Sequence, residues 1–300
     1  MTSRMISLNV KRRLRTLLLM FFGLLFFLFL FGPFYWMVAT SLMTEQEMLA
    51  NPPRLIPSKL SFDNYLAVLG FGDPGFLAEA RSRAPAVFEI RQALINSLIV
   101  GVCVAIANIL IATPAAYTFS RLRFNFSLPL LMVYLGTRMV PPIMLVVPMF
   151  LIVRNLGLID TPLALIAVYC ALTLPFSIWL LQSYFRTMPV ELEEAAVIDG
   201  ASRWQTIRMV LLPLSVPGLT CVGILAFMGS WSEFLFAVTF GKTIASRTLP
   251  VVAASFVDTS SIQFDYVMAA GVITALPPFL LALIFQRFIV SGLSSGAVKG

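Results

Sequence analysis

The feature that most constrains this chain is a set of long apolar runs almost free of charge. Thr16–Thr44, Gln92–Ser120, Thr161–Phe185 and Tyr266–Gln286 contain no Asp, Glu, Lys or Arg. Phe124–Val153 carries one charge, Arg138, and Met209–Gly241 carries one, Glu233. A helix needs about 20 apolar residues to cross the hydrocarbon core, so each run is long enough for a crossing. The runs are continuous and do not alternate, which argues against the ~10-residue strands of a membrane barrel. The expected fold is all-α, a polytopic membrane protein with six transmembrane helices. Charged residues make up 12% of the chain, about half the ~25% of soluble domains, so the usual polar coat is missing.

Lys and Arg in the connections set the expected orientation. The amino-terminal tail, residues 1–15, holds Arg4, Lys11, Arg12, Arg13 and Arg15. With that end cytoplasmic, twelve Lys and Arg fall inside and eight outside, while the inside segments contain only four acidic residues. Both termini are therefore expected in the cytoplasm. The net charge of +7 reads as a topology signal and not as a nucleic-acid footprint. The apolar run after the basic tail is far longer than the 7–15 residues of a signal-peptide core, so 16–40 is expected to be an uncleaved first span. An external loop, 41–91, follows. It begins irregularly around Pro52, Pro53 and Pro57, and a short interfacial helix is expected within 76–95. The core spans 92–287, interrupted by a cytoplasmic segment at 186–208, and 288–300 forms a cytoplasmic tail.

Several chemistries are missing. Histidine is absent and the three cysteines, Cys103, Cys170 and Cys221, stand alone in apolar runs. Imidazole bases, disulfide frameworks and zinc sites are thereby disfavoured. Gly241-Lys242-Thr243 echoes the end of a phosphate-binding loop, but the glycine required at position 236 is Phe236. No catalytic residue, metal or cofactor is expected, and any energy must come from a partner. Asn125-Phe126-Ser127 fits a glycosylation triplet but falls on the cytoplasmic side. Pro141, Pro142, Pro148, Pro213 and Pro217 are expected to kink spans.

The 186–208 segment is the informative one. Met188-Pro189 places proline where a helix tolerates it best, its first position. Glu191, Glu193 and Glu194 suit the positive end of that helix, and Gly200 supplies the positive φ that ends it. Ser202-Arg203-Trp204-Gln205 has capping-box spacing and starts a second helix. Ala195 and Ala196 are expected to leave one side of the first helix bare for a partner's surface.

The spacing Glu194-Ala195-Ala196, then Gly200, then Val210 and Leu212-Pro213 resembles the EAA loop of binding-protein-dependent ABC importers, with Val210 where isoleucine is usual. Asn96-Ser97 and Thr248-Leu249-Pro250-Val251 resemble further stretches of such permeases. The end of the chain, Gln286-Arg287-Phe288 with Gly292 and Gly296-Ala297-Val298-Lys299-Gly300, is similar to the tail of carbohydrate-type members. The resemblance implies the type I importer permease fold in a bacterial inner membrane. It also implies a second permease subunit, two ATPase subunits and an extracytoplasmic solute-binding protein as partners. The 186–208 loop would dock the ATPase through Glu194, Ala195, Ala196, Asp199 and Gly200, and 242–265 would face the binding protein. The solute would be a sugar or related polyol.

Charges at membrane depth are costly and mark functional candidates. Trp231-Ser232-Glu233-Phe234 resembles a tryptophan-asparagine-glutamate-phenylalanine pattern of these permeases, with serine replacing asparagine. Trp231, Ser232, Glu233 and Arg138 are thus candidates for the translocation pathway. The competing reading is a polar tie between helices, with Arg138 to Glu233 as one such pairing. A secondary transporter is the main rival function, and it would call for several buried ionisable groups and inverted repeats. A membrane-embedded enzyme would need a nucleophile–base pair or metal cluster.

Overall fold

The computed structural model describes the backbone of residues 2–122, 124–256 and 263–297. It describes side chains over 14–122, 124–256 and 263–287. The basic tail side chains Arg4, Lys11, Arg12 and Arg13, residue Arg123, and tail residues Val298, Lys299 and Gly300 lie outside these ranges. So do the side chains of Phe288 and Gly292–Ala297, and all of 257–262.

Every regular element among the described residues is helical. The principal helices are α1 (Thr2–Ser41), α2 (Glu89–Arg121), α3 (Ser127–Gly136), α4 (Pro142–Asn155), α5 (Pro162–Arg186), α6 (Glu191–Ile198), α7 (Val216–Trp231), α8 (Leu235–Phe240), α9 (Leu249–Ser255) and α10 (Phe264–Ala297). Four stretches are long and apolar enough to cross a membrane: Leu14–Ser41, Pro85–Arg121, Pro162–Arg186 and Phe264–Arg287. Two bent helix pairs also have the length and apolar composition for a crossing when each is taken together. Ser127–Met139 meets Pro142–Asn155 at 97°, and Arg203–Leu214 meets Val216–Trp231 at 78°. The runs Phe124–Val153 and Met209–Gly241 are therefore not single continuous helices. Pro141 and Pro142 take the first break, because neither can donate a backbone hydrogen bond. The second falls at Ser215, with Pro217 in the first turn of α7 and Pro213 in the turn before. Pro148 sits inside α4 without ending it.

The chain divides into two compact units, residues 1–87 with 260–273, and residues 88–259 with 274–300. In the smaller unit, α1 presents Leu14–Phe34 almost wholly exposed, an apolar face suited to lipid. The 41–91 segment is more ordered than its prolines suggest. Short helices occupy Asp63–Leu69 and Pro74–Arg83, the second starting ahead of the expected 76–95. Asn64 donates to the carbonyls of Ser41 and Met43 at 3.0 and 2.9 Å. Arg83 reaches Asp265 at 2.9 Å and Glu45 at 2.8 Å. The nearby Asp265 carboxylate holds the Arg83 guanidinium above its ordinary pKa despite partial burial.

The larger unit is built on α2, α5 and α7. Close approach replaces bulk where these helices touch: a Cβ on Gly101 would meet the Phe227 ring at 2.7 Å, and one on Gly218 would meet Tyr184 at 2.8 Å. Small residues let helices pack where lipid is no less apolar than leucine. Polar ties supply the rest. Fully buried Asn108 on α2 donates to Thr173 Oγ1 at 2.8 Å and accepts from Ser177 Oγ at 2.8 Å, both on α5. One side of the bundle is closed by Tyr117, Leu181, Phe185, Ile207, Leu211 and Cys221, so the segment following 200 is rooted in the core.

Candidate functional site

The segment between α5 and α7 is a helix, a glycine turn and a second helix. Thr187–Pro189 leaves α5, and Val190 accepts from the N–H groups of Glu193 and Glu194 as the residue that starts α6. Pro189 therefore stands one residue before the cap, not at the first helical position, because Val190 takes the capping role. At the other end Gly200 adopts φ +86°. Its N–H donates to Val197 O at 3.0 Å, and Ala201 N–H donates to Ala196 O at 2.9 Å. This pair of bonds is the Schellman closure that favours glycine at this position. The second helix opens with a reciprocal capping box: Ser202 N–H donates to Gln205 Oε1 at 2.8 Å, and Gln205 N–H donates to Ser202 Oγ at 3.4 Å. It passes through a π-helical turn, Ile207–Leu211, into Leu212-Pro213. Both folds of the loop are thus fixed by local hydrogen bonds.

Helical periodicity sorts α6 into two faces. Glu193 and Ala196 turn inward and are buried, while Glu191, Glu194, Ala195, Val197 and Ile198 are exposed, with Asp199 and Gly200 after them. Ala195 and Ala196 therefore do not form one bare side, since adjacent helical residues point about 100° apart. The outer tip is more apolar than expected: Ile198 is 85% and Trp204 65% exposed. Glu193 meets Arg121, the last residue of α2, at 2.6 Å. Nothing in the spacing of the sequence singled out Arg121 for this role.

The two charges within the apolar runs find separate partners. Glu233 closes the gap between α7 and α8. Its Oε1 accepts from the N–H groups of Leu235 and Phe236 at 2.8 and 3.1 Å. Its Oε2 accepts from Phe236 and Ala237 N–H at 3.1 and 3.3 Å, and from Tyr169 OH at 2.6 Å. Unpaired N–H groups at a helix start attract a carboxylate. The tie from Arg138 to Glu233 is not formed, because these nearer donors occupy the carboxylate; Arg138 instead lies 5.3 Å over the Phe176 ring. Trp231 is buried, stacks on Phe227 at 5.4 Å and donates to Thr274 O at 3.2 Å. Ser232 and Phe234 are exposed at the break. Beyond them an open cavity of about 500 Å³ is lined by Phe234, Val238, Gly241, Arg247, Val251 and Ser255.

The segment that echoed a phosphate loop has another use. Lys242 and Thr243 N–H each donate to Asp160 Oδ1 at 2.9 Å, and Ser246 Oγ donates to it at 2.6 Å. Thr243 Oγ1 donates to Oδ2 at 2.7 Å. Hydrogen bonds from Ser246 and Thr243, above all, hold the Asp160 carboxyl down at about 2. The loop before α5 is thereby clasped to the one after α8. Among the described residues, no group of three or more acidic or cysteine side chains could hold a metal ion.

The chain is similar to several known proteins. A family model described as "binding-protein-dependent transport system inner membrane component" matches residues 108–295. The trehalose/maltose transport system permease protein MalG of Thermococcus litoralis is 38% identical over 96% of this chain and 98% of its own. The trehalose transport system permease protein SugB of Mycobacterium tuberculosis is 37% identical over 89% and 92%. The sulfoquinovosyl glycerol permease SmoH of Agrobacterium fabrum is 35% identical over 89% and 88%. A crystal structure of a bacterial ABC transporter involved in import of the acidic polysaccharide alginate shares the fold, with TM-score 0.75 at 20% identity over 92% and 96%.

Proposed function

Because the chain belongs to the family of binding-protein-dependent transport system inner membrane components, we propose a division of labour for this ABC importer permease subunit. The protein is a multi-pass inner-membrane component that works with a partner permease, an ATPase and a solute-binding protein. In the proposed reading the 186–208 loop lies in the cytoplasm, with both termini, and docks one of two ATPase subunits. Glu194, Ala195, Asp199 and the exposed Ile198 and Trp204 meet the ATPase, and Gly200 fixes the angle of the tip. Ala196 serves from the inner face, seating α6 on the core. The observation that carries this reading is the loop itself: two hydrogen-bonded closures hold an exposed apolar tip on a segment rooted in the bundle. Such a tip is unusual for a solvated hairpin and suits a protein cleft.

The solute is a sugar or related polyol, a reading supported by the sugar-transport permeases among the relatives. The pathway runs past the break at Ser232 and Phe234 into the adjoining cavity, with Trp231 and Glu233 holding the shape of the break. Arg138 stands at the other broken crossing. Segment 242–265 faces the binding protein, and ATP hydrolysis is supplied by the partners.

Proteoliposomes holding the complete assembly test this reading with radiolabelled trehalose and maltose as probes. Uptake is expected to require both ATP on the ATPase side and binding protein on the other. Uptake by the purified chain alone on an ion gradient would contradict it in favour of a secondary transporter.

A further inference from the structure

We infer that Arg121 is the positioning residue that makes the 186–208 loop and helix α2 move as one body. This rests on the reading of that loop as the ATPase-docking element. A single guanidinium holds the loop at two points. Its Nε donates to Glu193 Oε1 at 2.6 Å, and its Nη2 donates to the carbonyl of Met188 at 3.0 Å. These anchors lie on either side of Pro189, one at the exit from α5 and one in the first turn of α6. Tyr117, one helical turn back on α2, donates to the other carboxylate oxygen at 3.2 Å. The pair is enclosed, with the Arg121 side chain 10% and the Glu193 side chain 11% exposed.

Covalently, the loop is attached only to α5 and to the segment leading into α7. Arg121 adds a third attachment, 72 residues away in sequence, to the helix that packs against both of the others. Force applied at the exposed tip thus reaches α2 directly instead of being lost in bending at Thr187–Pro189. The chemistry suits arginine alone, since a planar fork can meet a carboxylate and a carbonyl together while an ammonium is a point donor. Enclosed ion pairs are poor at adding net stability but strongly penalise the loss of one partner. A clamp that must keep one register is the better explanation for this one. Glu193 and Glu194 then divide the work: the first faces the protein's own core, the second faces outward.

The test uses the complete transporter in proteoliposomes, measuring radiolabelled sugar uptake and ATP hydrolysis in the same sample, with ATPase co-purification checked first. Arg121→Gln and Glu193→Gln are expected to retain the ATPase and hydrolyse ATP within about twofold of the parent, while uptake per ATP falls about tenfold or more. The exchange Arg121→Glu with Glu193→Arg is expected to recover a large part of that ratio. Arg121→Lys, which keeps the charge but not the fork, is expected to give an intermediate ratio, and it carries the test should Arg121→Gln fail to accumulate. An unchanged ratio in Arg121→Gln or Arg121→Lys overturns the inference. So does loss of the ATPase from these variants, which would make the pair part of the docking surface. Failure of the parent chain to hold an ATPase would defeat the underlying docking reading as well, a result separable from insensitivity confined to the variants.

Discussion

Gly200→Val is expected to abolish ATP-driven uptake and its stimulation of hydrolysis while leaving membrane insertion intact. Gly200 has φ +86°, and a Cβ there would meet nothing within 4 Å. The penalty is therefore conformational and not steric contact with neighbours. A residue with a Cβ in the left-handed region costs roughly 1–2 kcal/mol, and a β-branched one more. The chain escapes that cost by leaving the left-handed conformation. Doing so opens the Gly200–Val197 and Ala201–Ala196 bonds and swings the exposed tip away from its angle. Asparagine tolerates positive φ, so Gly200→Asn should keep much of the activity. The ordering Gly, then Asn, then Val in uptake rate, with equal amounts of inserted protein, is the expected outcome. Normal uptake by Gly200→Val would remove Gly200 from the coupling account.

Glu233→Ala is expected to lower stability sharply, by about 2–4 kcal/mol, from the lost cap and the Tyr169 hydroxyl left without its acceptor. Three N–H groups of α8 lose their carboxylate together. The break between α7 and α8 then loses the carboxylate that closes it. Thermal unfolding in detergent should show a clear drop in Tm. Glu233→Gln keeps an amide oxygen for the N–H groups and an amide donor that Tyr169 can accept. It is therefore expected to transport with unchanged KM and a smaller drop in Tm. A raised KM at parental Tm would instead place this carboxylate in contact with the solute.

What the sequence revealed and what it hid follow from the range of the forces involved. The turn at Gly200 and the box at Ser202 and Gln205 depend on residues within a few positions, so spacing alone located them. The crossings were legible because burial in lipid demands uninterrupted apolar length. The sharp bends were not, since an apolar run carries no record of direction; only the prolines hinted at them. Charge complementarity suggested Arg138 for Glu233, but the nearest unpaired donors were the backbone groups two to four residues on. Arg121 and Asn108 were passed over for opposite reasons. The first looked like any basic residue at a membrane edge, and the second carries no charge to make it conspicuous. Their long-range partners lie 65 to 72 residues away, a distance over which no local pattern speaks.

The most direct measurement places a photo-reactive side chain at Ile198, the most exposed apolar residue of the loop, in intact transporter-bearing membranes. Irradiation is expected to join this chain to the ATP-hydrolysing subunit, with the yield changing when ATP is added. Cross-links formed only to lipid or to the solute-binding protein would contradict the coupling role given to the loop.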